Sequence, residues 1–283
     1  ATQPVNVAGL SQRMGPGVIG TGVTATPNKR NRDSFLDLQF RSAAQQLGQY
    51  EELRNSLRQI EAILGEPSDS SITTVLQDMF DAMQGVSGMP EDASGRTAMI
   101  ASAETLAFKI STSYEQIYKV QTDLNNRIIA ATVDINDKAT QIASLNAQIG
   151  RSSGTNTPAN DLMDRRDLLL DQLSKLVSIH VTAHANNETD VRIEGMLIVA
   201  RDKSYSLTTA TNAVSGFDDI VYSPFSQVIT PSNGELSGMV NARDVKIGSV
   251  AAGTGLMNRL NTFASNLLSE TNALHRGGYG LEP

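Results

Sequence analysis

The sequence contains no cysteine and no tryptophan among its 283 residues, and aromatic residues make up only 5% of it. Without cysteine, disulfide bonds, thiolate catalysis and cysteine-containing zinc sites are excluded. No apolar run approaches the roughly 18 to 20 residues that cross a bilayer, and the first ten residues lack a basic stretch followed by an apolar block. We therefore expect neither a membrane partner nor a cleavable secretion signal.

The charge is acidic and evenly spread. The net charge is −7, and the lysines and arginines are scattered instead of forming a stripe, so nucleic acid is not expected as a partner. Hydrophobic residues make up 40% of the chain with few aromatics, which suits long helices that pack through narrow apolar seams. An elongated protein is the prediction.

Two helices are predicted before residue 90. Asp33 can cap the first, and Gly65 with Pro67 stops it. Its apolar positions follow a 3-4 repeat at Leu36, Phe40, Ala43, Leu47, Tyr50, Leu57 and Leu64. The second begins after Ser71 and ends near residues 85–88. Its inward residues are predicted to be Ile72, Val75, Leu76, Met79, Phe80 and Met83.

The third predicted helix is long enough to be a rod. It is opened by Pro90 and runs to Gly150, about 90 Å at ~1.5 Å per residue. One apolar seam follows Leu106, Ile110, Ser113, Ile117, Val120, Leu124, Ile128, Ala131, Ile135, Lys138, Ile142, Leu145 and Ile149. Two consecutive steps of four, ending at Leu124 and Ile128, form a stutter that locally straightens a supercoil. In this register Gln121 and Asn125 lie off the seam.

The remaining segments complete an α+β, mainly α, fold. A loop over residues 150–158 leads to a return helix ending near Leu176, period-two alternation over 179–231 predicts antiparallel strands, and a last helix ends at Gly277. The predicted architecture is an elongated antiparallel helical bundle with coiled-coil-like helices and an inserted small β domain. The predicted divisions are 1–32, an extended segment packing on the helices; 33–178, long helices; 179–232, the β domain; and 233–283, return helices.

The histidines form no catalytic or metal-binding pattern. His180 and His184 fall in a predicted strand without a third ligand, and His275 ends the last helix, where a cation is favourable. The carboxylate pairs Asp161/Asp164, Asp164/Asp167 and Asp218/Asp219 lie in polar stretches that do not follow the calcium-loop order. We therefore predict no catalytic, cofactor-binding or metal-binding residues, no cofactor, and no enzymatic activity.

Several stretches together resemble one protein family. They are Gly20-Thr21-Gly22-Val23, Arg32-Asp33-Ser34-Phe35-Leu36, Pro90-Glu91-Asp92, Asn160-Asp161-Leu162, Leu169-Leu170-Asp171-Gln172-Leu173-Ser174 and Gly234-Glu235-Leu236. In this order they resemble the flagellar hook-associated protein 1 family, which joins hook to filament. The resemblance implies a central fragment lacking the helical segments at both ends, secretion through the flagellar type III apparatus, and an extracellular place in the flagellum. It also implies partners: copies of itself in a ring, the hook protein and the next junction protein.

Other functions remain open from the residues. Flagellin and the third hook-associated protein share the 3-4 helical pattern, and a coiled-coil adhesin or toxin translocator is a further alternative. An enzyme of a different class, a carbohydrate hydrolase, would use Asp218, Asp219 or Glu235 in the β region. The fragment itself is predicted to be monomeric and independent of metal.

Overall fold

A computed structural model of the chain describes residues 7–14, 17–25, 33–65, 68, 71–154, 159–248 and 254–278. Predictions about Pro67 and about the loop over 155–158 lie outside these residues. The helices of the described part are α1 (Ser34–Leu64), α2 (Ile72–Gly88), α3 (Ala93–Gly154), α4 (Asn160–Leu176), α5 (Glu235–Val240) and α6 (Leu256–Gly277). A π-helical segment, Asn241–Ile247, continues directly from α5.

The strands form three antiparallel groups. Strands β1 (Val7–Met14) and β2 (Gly17–Ala25) pair with each other. A four-stranded sheet has the order β3 (Ile179–Ala183), β4 (Thr189–Ile193), β5 (Met196–Ala200) and β6 (Lys203–Ser204). A three-stranded sheet has the order β7 (Leu207–Thr211), β8 (Asp218–Tyr222) and β9 (Gln227–Ile229). The predicted packing of residues 1–32 on the helices stays a prediction.

The β4–β5 hairpin shows how local sequence fixes strand pairing. Its two-residue turn is Glu194-Gly195, and both residues have positive φ, 46° and 82°. Two positive φ values are the signature of a type I′ turn, whose twist matches that of paired strands. The Glu194 carboxylate then accepts hydrogen bonds from Ser232 N at 2.9 Å and Ser232 Oγ at 2.6 Å. The turn therefore also anchors the segment that leaves the β region.

Helix α1 begins and ends as predicted but buries a different face. Asp33 Oδ1 accepts a hydrogen bond from Phe35 N at 2.9 Å, and Gly65 ends the helix with a left-handed φ of 67°. The predicted apolar positions from Leu36 to Tyr50 are solvent-exposed. The buried residues of α1 are Arg41, Gly48, Glu52, Ser56 and Ile60. The 3-4 pattern identified an apolar face, but the rest of the described chain packs against the neighbouring face.

Helix α3 confirms the rod and its seam. It has 62 residues, about 93 Å at ~1.5 Å per residue. The stutter residues Leu124 and Ile128 are 3% and 0% exposed, and every other predicted seam residue is buried or partly buried. The helix continues through Gly154, past the stop predicted at Gly150. The expectation that Gln121 and Asn125 lie off the buried surface is wrong, since they are 5% and 9% exposed.

Helix α2 buries less than predicted. Met79 is buried, whereas Phe80 is 49% exposed although it was expected to point inward. Helix α2 packs on α3 at the end of the rod away from the β region. One amphipathic helix beside another buries a single stripe, and Phe80 lies outside that stripe.

The hydrophobic core extends from the helices into the four-stranded sheet and the three-stranded sheet as one cluster. Helix α4 packs against α1 and α3, and α5 packs against α1 and α3. The sheets lie along α3, which contacts β5, β6, β7 and β8. Members of the core cluster in these elements include Ile135, Ile142, Leu173, Val191, Ile220 and Leu236. The fold is mainly α with a small antiparallel β region between α4 and α5, as predicted.

Candidate assembly surfaces

Helix α1, the end of α4 and the start of α5 approach one another so closely that glycine is required at three contacts. A Cβ on Gly48 would lie 2.5 Å from Lys175 O, and one on Gly238 would lie 2.7 Å from Gln49 O. Gly234, at φ 90°, has equally little space against Leu176 O. Any larger side chain would push the helices apart. These glycines lock the return segment onto the first helix.

A bidentate ion pair joins the same crossing to the rod. Arg127 Nη1 and Nη2 donate to the two oxygens of Glu52 at 2.6 Å each. The hydrogen bonds to Glu52 raise the pKa of Arg127 above its ordinary value, against the opposing effect of desolvation. Glu52 is buried and Arg127 is half-exposed, so the pair links core to surface.

A buried arginine connects the π-helical segment to the rod and to strand β8. Arg243 is 2% exposed, and its Nη1 donates to Asn125 Oδ1 at 2.6 Å and to Asp218 O at 2.8 Å. Its Nε and Nη2 donate to both oxygens of Asp244, at 2.7 and 2.9 Å. Gln121 Nε2 donates to Arg243 O at 3.0 Å. Burial of a guanidinium is tolerated because each of its arms has an acceptor.

Asparagines of α3 bind the starts of three strands. Asn125 Oδ1 accepts from Asp218 N at 2.9 Å, and its Nδ2 donates to Asp218 Oδ2 at 2.9 Å. Asn136 accepts from Leu207 N at 2.8 Å and donates to Leu207 O at 2.7 Å. Asn146 accepts from Thr189 N at 3.2 Å and donates to Thr189 O at 2.7 Å.

The asparagine contacts were missed by sequence reasoning. The three side chains are uncharged amides beside an apolar seam, and such residues are normally assigned to the solvent face. One available signal was their spacing, since positions 125, 136 and 146 recur about every three helical turns. The partners, however, lie 43 to 93 residues away.

The carboxylates of α4 are structural where they are buried. Arg41 Nε donates to Asp171 Oδ1 at 2.7 Å, and Asp167 lies 3.9 Å from Arg41 Nη2 and 3.8 Å from Arg166 Nε. Asp161 and Asp164 are exposed. The buried ones tie α4 to α1.

The acids considered for sugar hydrolysis each contact a different polar partner. Asp218 bonds to Asn125 and to Thr211 Oγ1, and Asp219 accepts from Asn212 Nδ2 at 2.8 Å. Glu235 Oε1 lies 3.2 Å from Lys175 Nζ. Asp218 and Asp219 are held at the start of β8, and Glu235 is held at the start of α5.

The structure places the histidines apart. His180 is exposed on β3, His184 follows that strand with Nε2 lying 3.0 Å from Asp190 Oδ2, and His275 is exposed in the last turn of α6. Within the described ranges, no group of three His, Asp or Glu side chains is close enough together to hold a metal ion. No described helix is long and apolar enough to cross a membrane.

An apolar surface along the first half of α1 is exposed in the part of the chain that the structure describes. We define the α1 stripe as Leu36, Phe40, Ala43, Leu47 and Tyr50. Its four large side chains are between 54% and 66% exposed. The steps are 4, 3, 4 and 3, the spacing of a coiled-coil seam. Such a surface on a soluble helix is typical of a contact with another protein segment.

A second apolar surface is a groove of about 420 Å³ between helices. Helices α2, α3 and α6 line it, with Met79, Leu106, Ile110, Leu267 and Leu268 among its side chains. The groove exists because Met257 and Leu260 anchor the start of α6, whereas the second half of α6 is little buried. Apolar area on two separate surfaces is what a subunit of a larger assembly presents.

The comparisons with known proteins agree with this geometry. The family model of the flagellar hook-associated protein FlgK helical domain matches residues 57–283, well over half of the chain. The chain belongs to this family. Relatives called flagellar hook-associated protein 1 include one from Bacillus subtilis, 32% identical over 166 residues, and one from Escherichia coli K12, 32% identical over 200 residues.

The similarity to these family members covers only part of their length. The matches include 59% of this chain and 33% of the Bacillus protein, and 70% of this chain and 35% of the Escherichia coli protein. The flagellar hook junction protein FlgK from Burkholderia pseudomallei is structurally similar, with a TM-score of 0.66 and 26% identity over 72% of this chain and 38% of that one. The chain therefore spans about a third of the length of the relatives it matches.

Proposed function

We propose that this protein is a structural subunit of the bacterial flagellum that forms the junction between hook and filament. The observation that carries the proposal is the family match over residues 57–283. The rod-like α3 and the two uncovered apolar surfaces support it, because a ring subunit needs a stiff body and surfaces for its neighbours. Its partners are copies of itself in a ring, the hook protein and the next junction protein.

The proposal also covers location, domains and the lack of catalysis. The protein is secreted through the flagellar export apparatus and acts outside the cell, with no nucleic acid or membrane partner. Its long helices form one unit with the return helices, and the β domain at 179–232 is carried on the rod. It has no enzymatic role, and the partnered carboxylates and dispersed histidines support that proposal.

A chimera tests the proposed role directly. The segment of the Escherichia coli relative that matches this chain is replaced by residues 57–283 in a strain lacking its own hook-associated protein 1. The chimera should be found between hook and filament by immunogold electron microscopy and should restore swimming. The matched control carries Leu124→Asp, which disrupts the rod. A folded, exported chimera distributed along the filament or absent from the junction would contradict the proposal.

A further inference from the structure

The three asparagines of α3 each accept a hydrogen bond from the backbone N–H of one strand residue and donate one back to that same residue. A side-chain amide has one carbonyl and one N–H donor group, as a peptide unit does. Asn136 and Asn146 each exchange both kinds of bond with the backbone of a single residue, Leu207 and Thr189. This is the pattern that two residues of neighbouring antiparallel strands make. Asn136 and Asn146 thus each pair with a strand residue as a neighbouring strand would, whereas Asn125 accepts from Asp218 N and donates to the Asp218 carboxylate.

The strand residues that they bind are equivalent in position. Thr189 is the first residue of β4, Leu207 of β7 and Asp218 of β8. Their asparagine partners are 11 and 10 residues apart on α3, about 16 Å at each step and close to three helical turns. The contacts therefore form a row along one face of the rod, with one contact for the start of each of these three strands.

The row exists in only one alignment of rod and strands. A shift of α3 by three, four or seven residues in either direction would bring other residues to the three strand starts. In five of these six shifts, none of the residues brought to the three strand starts is an asparagine or a glutamine. The sixth shift brings only one amide, that of Gln121. Apolar contact beneath the row is non-directional and does not by itself distinguish a shift of one helical turn. A shifted alignment would leave buried backbone groups unpaired, which is costly.

We infer that Asn125, Asn136 and Asn146 are positioning residues that set the height and orientation of the β region on the rod. We call them the asparagine row. Asn125 is additionally held by Arg243, so the row is fixed at one end to the buried π-helical segment. The inference concerns the folded chain and does not depend on its place in the flagellum.

The absence of cysteine makes the inference measurable. Lys119→Cys on α3 and Gln227→Cys on β9 introduce two exposed labelling sites into a chain with no other thiol. Spin labels at these sites report the distance between rod and sheet by pulsed electron resonance. The parent should give one narrow distance distribution. Asn136→Ala should at least double its width, whereas Asn136→Gln, which keeps an amide, should leave it narrow.

The matched control is Asn126→Ala, an exposed asparagine on the same helix, which should leave the distribution unchanged. If Asn136→Ala gives the same distribution as the parent, the inference is overturned, whatever happens to the melting temperature. If that variant does not fold, Asn146→Ala is measured instead with labels at Lys119→Cys and Thr182→Cys. A parent-like width there would overturn the inference equally.

Discussion

At the scale of single residues, burial of the amides on α3 was the largest departure from expectation. Gln121 and Asn125 were placed off the seam because their positions fall between its 3-4 steps. The structure buries them because Arg243 and Asp218 supply partners from more than 90 residues away. Local periodicity carries no information about such partners. The row of contacts along α3 was therefore not predictable from spacing alone.

The contact between Asn125 and Asp218 predicts a strong effect of charge. In Asn125→Asp, the amide that donates to Asp218 Oδ2 at 2.9 Å becomes a second carboxylate. Two carboxylates at that distance repel, and the lost hydrogen bond leaves Asp218 underpaired. Arg243 Nη1, which donates to Asn125 Oδ1 at 2.6 Å, offsets part of this by pairing with the new carboxylate, so the expected net cost is about 1–3 kcal/mol in unfolding free energy. Urea denaturation measures this loss of unfolding free energy. Asn126→Asp, at an exposed neighbouring position, should change stability by less than ~0.5 kcal/mol. Equal effects for both variants would mean that the buried contact contributes little.

The start of α3 predicts a local response to acid. Hydrogen bonds from the Ser94 side chain, then from the backbone N–H groups of Ser94 and Gly95, lower the pKa of Asp92 below its usual value. A lowered folded pKa means that the cap contributes fully above the unfolded pKa of about 3.9 and is lost as pH falls through the folded value.

Amide hydrogen exchange at Ser94 and Gly95 should therefore accelerate in the folded chain below about pH 4, relative to its intrinsic rate. The variant Asp92→Asn keeps the cap without an ionisable group, so the acid-dependent part of the hydrogen-exchange rate should disappear. The idea fails if parent and Asp92→Asn show the same pH dependence in this range.

At the scale of elements, the two ends of α1 and the existence of the rod were predictable because their causes are local, whereas the end of α3 lies beyond the predicted Gly150. Helix α1 begins at the side-chain cap Asp33 and ends at the left-handed Gly65, and both signals are visible in the sequence. Which face of a helix becomes covered depends on segments that are distant in the sequence. The 3-4 repeats of α1 and α3 look alike, but only that of α3 is covered within the described chain, because α4, α5 and the sheets pack there.

The seam of α3 predicts that Leu124 is critical for stability. Leu124→Asp places a carboxylate in the core where the side chain is now 3% exposed, so it loses apolar burial and desolvates a charge. The expected loss is roughly 3–5 kcal/mol in unfolding free energy. Val133→Asp is the control on the same helix, since Val133 is 55% exposed. Thermal melts should show a large loss for the first and a small one for the second. The opposite order would overturn the assigned seam.

At the scale of the whole molecule, the sequence resemblance predicted the family and the fold class correctly. It did not predict how intimately the β region joins the rod. One core cluster contains Ile135 and Ile142 of α3 together with Val191 and Ile220 of the sheets, so the sheets have no core separate from that of the helices. Period-two alternation locates strands but says nothing about which helix their apolar face meets.

The α1 stripe predicts the behaviour of the molecule in solution. The stripe is about 21 Å long, and one helix face presents far less than the ~800 Å² per partner of a stable interface. We therefore expect a monomer at micromolar concentration in sedimentation velocity. Because Phe40 and Leu47 are already exposed, the double change Phe40→Gln and Leu47→Gln should alter unfolding free energy by no more than about 1 kcal/mol. A parent dimer that this variant dissociates would show instead that the stripe holds a second copy, and a large loss of stability would show that the stripe is covered within the chain.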